Sequence, residues 1–285
     1  MGIMQYNYRS QCLSANVNIT IVYPTDRLSY YDMTVPRHHG SRVKLEDRYL
    51  PGMKFQTIYL LHGGGDDDSV VYRYINSEAY AEANQVMLVT PSIVNSFGVD
   101  TKYGLFSYTF LTEELPVVIQ SLFASSPKRE DNFIMGFAMG GNAALGAALR
   151  RPDLYAACVD LSGGIGLTLD MDDLKKNLRS SKFRIYPSSF ENPDTIDGTE
   201  FDMYSVAKGN IERGVELPKF FLCAGSEEGQ IGVRVHNDAI KLKELGYDVY
   251  YEEAAGYKHD FPIWNKYIKL AMDEWLPLKR HPLYV

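Results

Sequence analysis

Short apolar runs recur along the chain, and most of them stop at glycine or proline. Residues 17–23 (VNITIVY) alternate apolar and polar side chains, the period of a half-buried strand. Residues 55–61 are more continuously apolar and run into His62 and three glycines. Residues 86–90 end at Pro91, 132–135 at Gly136, 158–161 at Ser162-Gly163-Gly164 and 219–224 at Gly225, and 247–252 is the last such run. Stretches of helical period lie between them at 71–84, 112–123, 139–150, 233–245 and 262–275. Pro116 stands near the start of the second, and Gly246 closes the fourth as a helix stop. Apolar strands alternating with helices predict an α/β protein whose mostly parallel, doubly wound sheet is covered on both faces. In such sheets function collects in loops at the carboxyl ends of strands. That rule singles out 62–69, 136–141, 162–166, 225–232 and 256–261.

The alternation lapses over 166–218, which is polar and carries the aromatics Phe183, Tyr186, Phe190, Phe201 and Tyr204. This stretch is expected to be a lid inserted over the carboxyl edge of a single domain spanning 1–285. Composition narrows the function. With 285 residues, 45% hydrophobic, the chain is long enough to bury a large core without staples. Lys plus Arg is 29 against 36 for Asp plus Glu, and a net charge of −7 repels phosphate backbones, so nucleic acid is excluded as a partner. Cys12, Cys158 and Cys223 are odd in number and far apart, which fits reduced thiols rather than a zinc site or a disulfide framework. No run approaches the ~18 apolar residues of a membrane span. The first residues lack the cationic and apolar segments of a leader, so a cytoplasmic protein is expected.

The decisive motif follows the run at 132–135. Gly136-Phe137-Ala138-Met139-Gly140-Gly141, between a strand and a helix, has the context of G-x-S-x-G, the sharp turn that exposes a nucleophilic serine. Every place matches except the reactive one, where Ala138 stands. Around it lie Tyr59-Leu60-Leu61-His62-Gly63-Gly64, Val89-Thr90-Pro91-Ser92, Asn95-Ser96-Phe97 and Glu113-Glu114-Leu115-Pro116. Further on come Asn142-Ala143-Ala144-Leu145, Arg151-Pro152-Asp153-Leu154-Tyr155, Leu161-Ser162-Gly163 and Gly256-Tyr257-Lys258-His259-Asp260-Phe261. In this order the segments resemble the esterase D family of α/β-hydrolases, which includes feruloyl, acetylxylan and tributyrin esterases and S-formylglutathione hydrolases. The resemblance runs from about residue 55 to 265.

It implies an α/β-hydrolase fold and a Ser-His-acid acyl-transfer site. Ala138 occupies the nucleophile position and His259 matches the general base. In this fold the acid follows the strand before the histidine segment, which points to Ala224-Gly225-Ser226-Glu227-Glu228-Gly229. Glu228 aligns best with the family's aspartate, and Glu227 is the neighbour to be tested against it. The amides of Gly64 and Met139 are the implied oxyanion donors, and Trp264 is either a pocket wall or a core tryptophan. No cofactor or metal is implied. Retention of His259 and the elbow glycines favours a Ser→Ala inactivated variant over a natural pseudoenzyme. The 21 tyrosines and 13 phenylalanines would suit a hydroxycinnamoyl ester. A short-chain acyl or acetylxylan ester and a formylglutathione thioester are the other substrates the resemblance admits, and a non-catalytic ester- or glycan-binding module is the other class. Whether the chain forms a homo-oligomer is not legible.

Other conspicuous residues have plainer readings. His62 is expected to be structural, beside the glycine loop. Asp66-Asp67-Asp68 reads as a solvated acidic loop more readily than as a calcium site. His38, His39, His236 and His281 lack metal spacing and are expected at the surface. Cys223 lies within a strand rather than on an elbow, so it is expected to pack the core. Gly136, Gly140 and Gly141 only loosely echo a dinucleotide motif, with no acidic ribose partner.

Overall fold

In the computed structural model, residues 2–24, 50–180, 186–190 and 192–284 are described. The expected surface histidines His38 and His39, and Phe183 of the expected lid, lie outside them. The main sheet has eight strands: β1 (Gly2–Ser10), β2 (Ala15–Tyr23), β3 (Thr57–Leu61), β4 (Met87–Pro91), β5 (Asn132–Phe137), β6 (Ala157–Leu161), β7 (Lys219–Gly225) and β8 (Val249–Ala254). Their order is β1-β2-β4-β3-β5-β6-β7-β8. Strand β2 runs antiparallel to both of its neighbours, and every pair from β4 to β8 is parallel. Met53–Lys54 and Leu283–Tyr284 form a separate two-stranded pairing.

The central strands are buried on both faces, so their alternate side chains feed two cores. On β5, Ile134 joins one core with Val235, Ala239 and the elbow-helix alanines. Phe133, Met135 and Phe137 join the other, with Ile263, Trp264, Tyr267 and Ile268. Eight of the helices among the described residues are α1 (Val70–Arg73), α2 (Ser77–Asn84), α3 (Leu115–Leu122), α4 (Met139–Arg150), α5 (Met171–Ser180), α6 (Met203–Glu212), α7 (Gln230–Leu245) and α8 (Phe261–Leu270). The mostly parallel α/β sheet read from the pattern is therefore present.

Three local expectations need correction. The single helix expected at 71–84 is two, α1 and α2, and in the break Ser77 Oγ donates to Val71 O at 2.8 Å. The helix expected from 112 begins at Ser107 and passes through a π-helical turn at Phe110–Glu114 before α3. Pro116 sits just beyond that turn; it has no N–H to give, and the wider turn accommodates the missing bond. Strand β1 has no counterpart in the sequence pattern, because an edge strand exposed along most of its length carries little apolar signal.

In the segment between β6 and β7, α6 caps itself through Asp202, whose carboxylate accepts from Ser205 N at 3.0 Å. Asn210 Nδ2 on α6 donates to Leu149 O at 2.7 Å, which docks this helix on α4 and the sheet layer. Tyr186, Phe190 and Phe201 are buried and pack edge-to-face on one another, with Phe97 beneath them.

Two glycines of one helix should respond to alanine with opposite signs. A methyl on Gly140 would stand 2.2 Å from Leu61 O, backbone that cannot yield, whereas one on Gly146 would meet Leu167 at 3.6 Å, an ordinary contact. Urea unfolding should show Gly140→Ala losing about 1–3 kcal/mol or more and Gly146→Ala unchanged or gaining up to about 1 kcal/mol.

Candidate active site

The register brings the site together. Leu61 pairs with Gly136, so the loop leaving β3 and the elbow leaving β5 emerge side by side. Gly136 and Gly140 let the elbow close, since a methyl on Gly136 would lie 2.3 Å from the Gly140 carbonyl. At the apex Ala138 has φ 51° and ψ −121°, a left-handed conformation that strains any residue with a Cβ by about 1–3 kcal/mol. It is held there from both sides. Ala138 N donates to Leu161 O at 2.9 Å, and Ala138 O accepts from Asn142 N as α4 begins. Ala138 is buried, 5% exposed, in the core that includes Phe137 and Trp264.

The glycine loop lies against this apex. A methyl on Gly63 would stand 3.4 Å from Ala138 Cβ, and one on Gly64 would be 3.9 Å from Met139 Cβ. Asn95 Oδ1 accepts from Gly65 N at 2.8 Å and fixes the loop. His62 anchors its base and is fully buried. Its Nε2 accepts from Ile93 N at 2.9 Å, so the proton sits on Nδ1, which donates to Gly63 O at 2.7 Å. Burial pushes this imidazole below its usual range, consistent with a neutral structural ring. The acidic run is not uniformly solvated as expected. Asp67 is exposed, but Asp68 is buried and accepts from Thr20 Oγ1 at 2.6 Å and Ser92 Oγ at 2.7 Å.

His259 follows β8 and precedes α8. Its Nδ1 lies 2.8 Å from Glu228 Oε2, and the carboxylate side chain is fully buried while the imidazole is 30% exposed. Glu228 Oε1 accepts from Gly225 N at 2.6 Å and from Ser162 Oγ at 2.7 Å. Glu227 instead points outward to Lys258, 3.7 Å away. Of the two glutamates, only Glu228 meets the histidine. The acid and histidine loops are tied together, since Glu227 N donates to Tyr257 O and Ser226 N to Ala254 O, both at 3.0 Å. Gly225 permits this approach, because a methyl there would fall 2.2 Å from Tyr257 O.

Trp264 is buried rather than open to solvent. Its ring stacks on Phe137 at 4.7 Å and meets His259 edge-on at 5.1 Å, linking the residue before the elbow apex to the imidazole. Its Nε1 donates to Ser162 Oγ at 3.1 Å. Ser162 belongs to a segment carried by the family resemblance, but nothing in its type or spacing announced a contact with the acid. His236 and His281 are exposed, the former stacked on Tyr251. Cys158 and Cys223 are buried, and burial raises both thiols above their usual range, well above it for Cys158.

Residues 34–182, just over half of the chain, match the Esterase family model, described as "Putative esterase". The chain belongs to the esterase family. It is 28% identical over 282 residues to an acetyl esterase of Caldicellulosiruptor saccharolyticus, covering 97% of this chain and 98% of that one. Among solved structures, a substrate-bound fluorophosphonate-binding serine hydrolase of Staphylococcus aureus superposes with a TM-score of 0.75, at 24% identity over 96% of this chain and 98% of that one. An S-formylglutathione hydrolase of the same organism gives a TM-score of 0.73 at 23% identity, over 96% and 98%. The fold is that of the α/β-hydrolase esterases. No helix among the described residues is long and apolar enough to cross a membrane.

Behind the elbow lies Asp160, fully enclosed, with Oδ1 finding no hydrogen-bond partner among the described residues. It fits because methyls on Gly141 and Gly163 would come within 2.3 and 2.1 Å of that oxygen. Burial, with the Asp238 carboxyl adding to it, pushes the Asp160 carboxyl up to about 8 from its ordinary 3.8. The folded protein thus holds a proton that the unfolded chain releases near pH 4. Stability from this group is complete below that pH and falls as pH rises towards 8. Thermal unfolding of Asp160→Asn should therefore show a shallower loss of Tm between pH 5 and 8 than the parent. Part of the slope should remain, because Asp238 is likewise raised, to about 7. Parallel pH profiles for the two proteins would contradict the assignment.

Proposed function

We propose that the chain carries the machinery of a carboxylic ester hydrolase acting by a Ser-His-acid acyl-enzyme mechanism, with alanine in place of the nucleophile. The observation that carries this reading is the 2.8 Å contact between His259 Nδ1 and the buried Glu228, combined with a strained elbow apex at Ala138. A hydroxyl at position 138 would attack the ester carbonyl as His259 Nε2 takes its proton. Glu228 holds the Nδ1–H tautomer and stabilises the imidazolium. The amides of Gly64 and Met139 receive the developing oxyanion; Met139 begins α4, where the first N–H groups have no partner within the helix. His259 then returns the proton to the departing alkoxide, and water, deprotonated by the same ring, releases the acid.

Ala138 has no hydroxyl, so the chain as it stands forms no acyl-enzyme. Retention of the dyad, the elbow strain and the glycine loop supports a Ser→Ala inactivated esterase over a natural binding module, where nothing would maintain them.

For the acyl group, the near full-length likeness to an acetyl esterase supports a short-chain ester. The hydroxycinnamoyl reading draws on the chain's aromatic content, and of those rings Tyr186, Phe190 and Phe201 are buried against one another. Small-molecule esters remain the partner class.

Ala138→Ser should raise kcat/KM on p-nitrophenyl acetate by about a thousandfold or more over the parent. Acetylated xylan and methyl ferulate, assayed beside it, rank the acyl groups, and the short acyl is expected to lead. In that background Glu228→Gln should lower kcat by about 10³–10⁴, whereas Glu227→Gln should leave it within about threefold. Absence of activity on every ester would overturn the proposal.

A further inference from the structure

We propose that Ser162 is a positioning residue for the acid of this site, with the Trp264 indole fixing its hydroxyl. The inference rests on the proposed esterase reading and extends it to a residue that touches neither substrate nor reacting atoms.

Ser162 is fully buried just after β6 and has φ 60°, a left-handed backbone that glycine adopts without cost and serine does not. Its neighbours Gly163 and Gly164 show that the loop uses glycine freely; here it keeps a hydroxyl. The direction of each hydrogen bond follows from chemistry. An indole N–H can only donate, so Ser162 Oγ accepts from Trp264 Nε1 at 3.1 Å. The single hydroxyl proton is then left for Glu228 Oε1, 2.7 Å away. Gly225 N adds a second donor to the same oxygen at 2.6 Å. With Oε1 held by two donors, the carboxylate cannot swivel, and Oε2 faces His259 Nδ1.

The main chain ties the arrangement to the sheet, because Ser162 N donates to Cys223 O at 2.7 Å, two residues before Gly225. Trp264 acts twice. Its N–H sets the serine rotor, while its ring meets the imidazole at a right angle and its face lies on Phe137, next to Ala138. One tryptophan thus registers the acid, the base and the elbow against each other.

The test uses Ser162→Gly, which removes the hydroxyl yet accepts the backbone conformation, and Trp264→Phe, which keeps a ring and removes the N–H. Two readouts are taken. In the full chain with Ala138 retained, proton NMR follows the far-downfield signal of a histidine Nδ1–H bonded to carboxylate, assigned by its loss in Glu228→Gln. In the Ala138→Ser background, kcat and KM are measured on p-nitrophenyl acetate. Ser162→Gly is expected to broaden or lose the signal and to lower kcat by about 10- to 100-fold, the scale of a misplaced catalytic group, with KM within about threefold. Trp264→Phe should move both readouts the same way by less.

A signal absent from the parent, or a signal and kcat that both persist in folded Ser162→Gly, overturns the proposal. A loss confined to stability, with kcat unchanged, also overturns it and makes Ser162 merely structural. If Ala138→Ser hydrolyses no ester, the esterase reading falls by itself, and the NMR signal still decides whether Ser162 holds Glu228.

Discussion

The site depends on one backbone constraint, the left-handed turn at residue 138. A residue with a Cβ does not rest at φ 51° unless its surroundings enforce it. Here the enforcement is steric and hydrogen-bonded together. Leu61 O and the Gly140 carbonyl crowd so closely that only hydrogen fits at Gly140 and Gly136, and Leu161 O captures the apex amide from the adjacent strand. The turn ends the strand at Phe137 and starts a helix at Met139. In an alanine that geometry presents only a methyl, so the strain has no use for the residue present. On the proposed reading it has one for a hydroxyl.

On the proposed esterase reading, the parts around the turn hold a proton path towards that point. The acid comes from the loop after β7 and the histidine from the loop after β8, and backbone hydrogen bonds between 226–227 and 254–257 bind the two loops into one unit. Glu228 is buried with three donors on its two oxygens, which satisfies a charge that would otherwise be costly to enclose. Phe137, Trp264 and His259 form a continuous aromatic contact from the elbow to the imidazole. The arrangement is rigid because its parts sit at the ends of adjacent parallel strands rather than on long excursions.

Much of this was legible in the sequence, for physical reasons. Parallel strands buried on both faces must be apolar throughout, and such runs at 55–61, 132–135 and 219–224 placed the sheet. Gly-x-x-x-Gly-Gly after the second of these placed the elbow, because its close approaches admit no side chain. His259 and Glu228 were found through the order of segments. Contacts made across the fold were not legible. Ser162 meets Glu228 66 residues away and Trp264 102 residues away, distances over which local pattern carries no information. Asp68, one of three successive aspartates, is buried because Thr20 from β2 and Ser92 beyond β4 reach it, which the run of charges conceals. The aromatics Tyr186, Phe190 and Phe201 belong to the expected lid, yet aromatic content does not distinguish a ring that lines a cleft from one that packs its neighbours, as these do.

The central claim is that position 138 is poised for a nucleophile facing an oriented base. Covalent capture tests it most directly. The parent chain and Ala138→Ser would be treated with a fluorophosphonate and their intact masses measured, with peptide mapping of any adduct. The account predicts no adduct on the parent, and a single adduct at position 138 of the variant that forms far more slowly when His259→Ala is added. A variant that stays unmodified, or an adduct of equal extent on the parent, would contradict it.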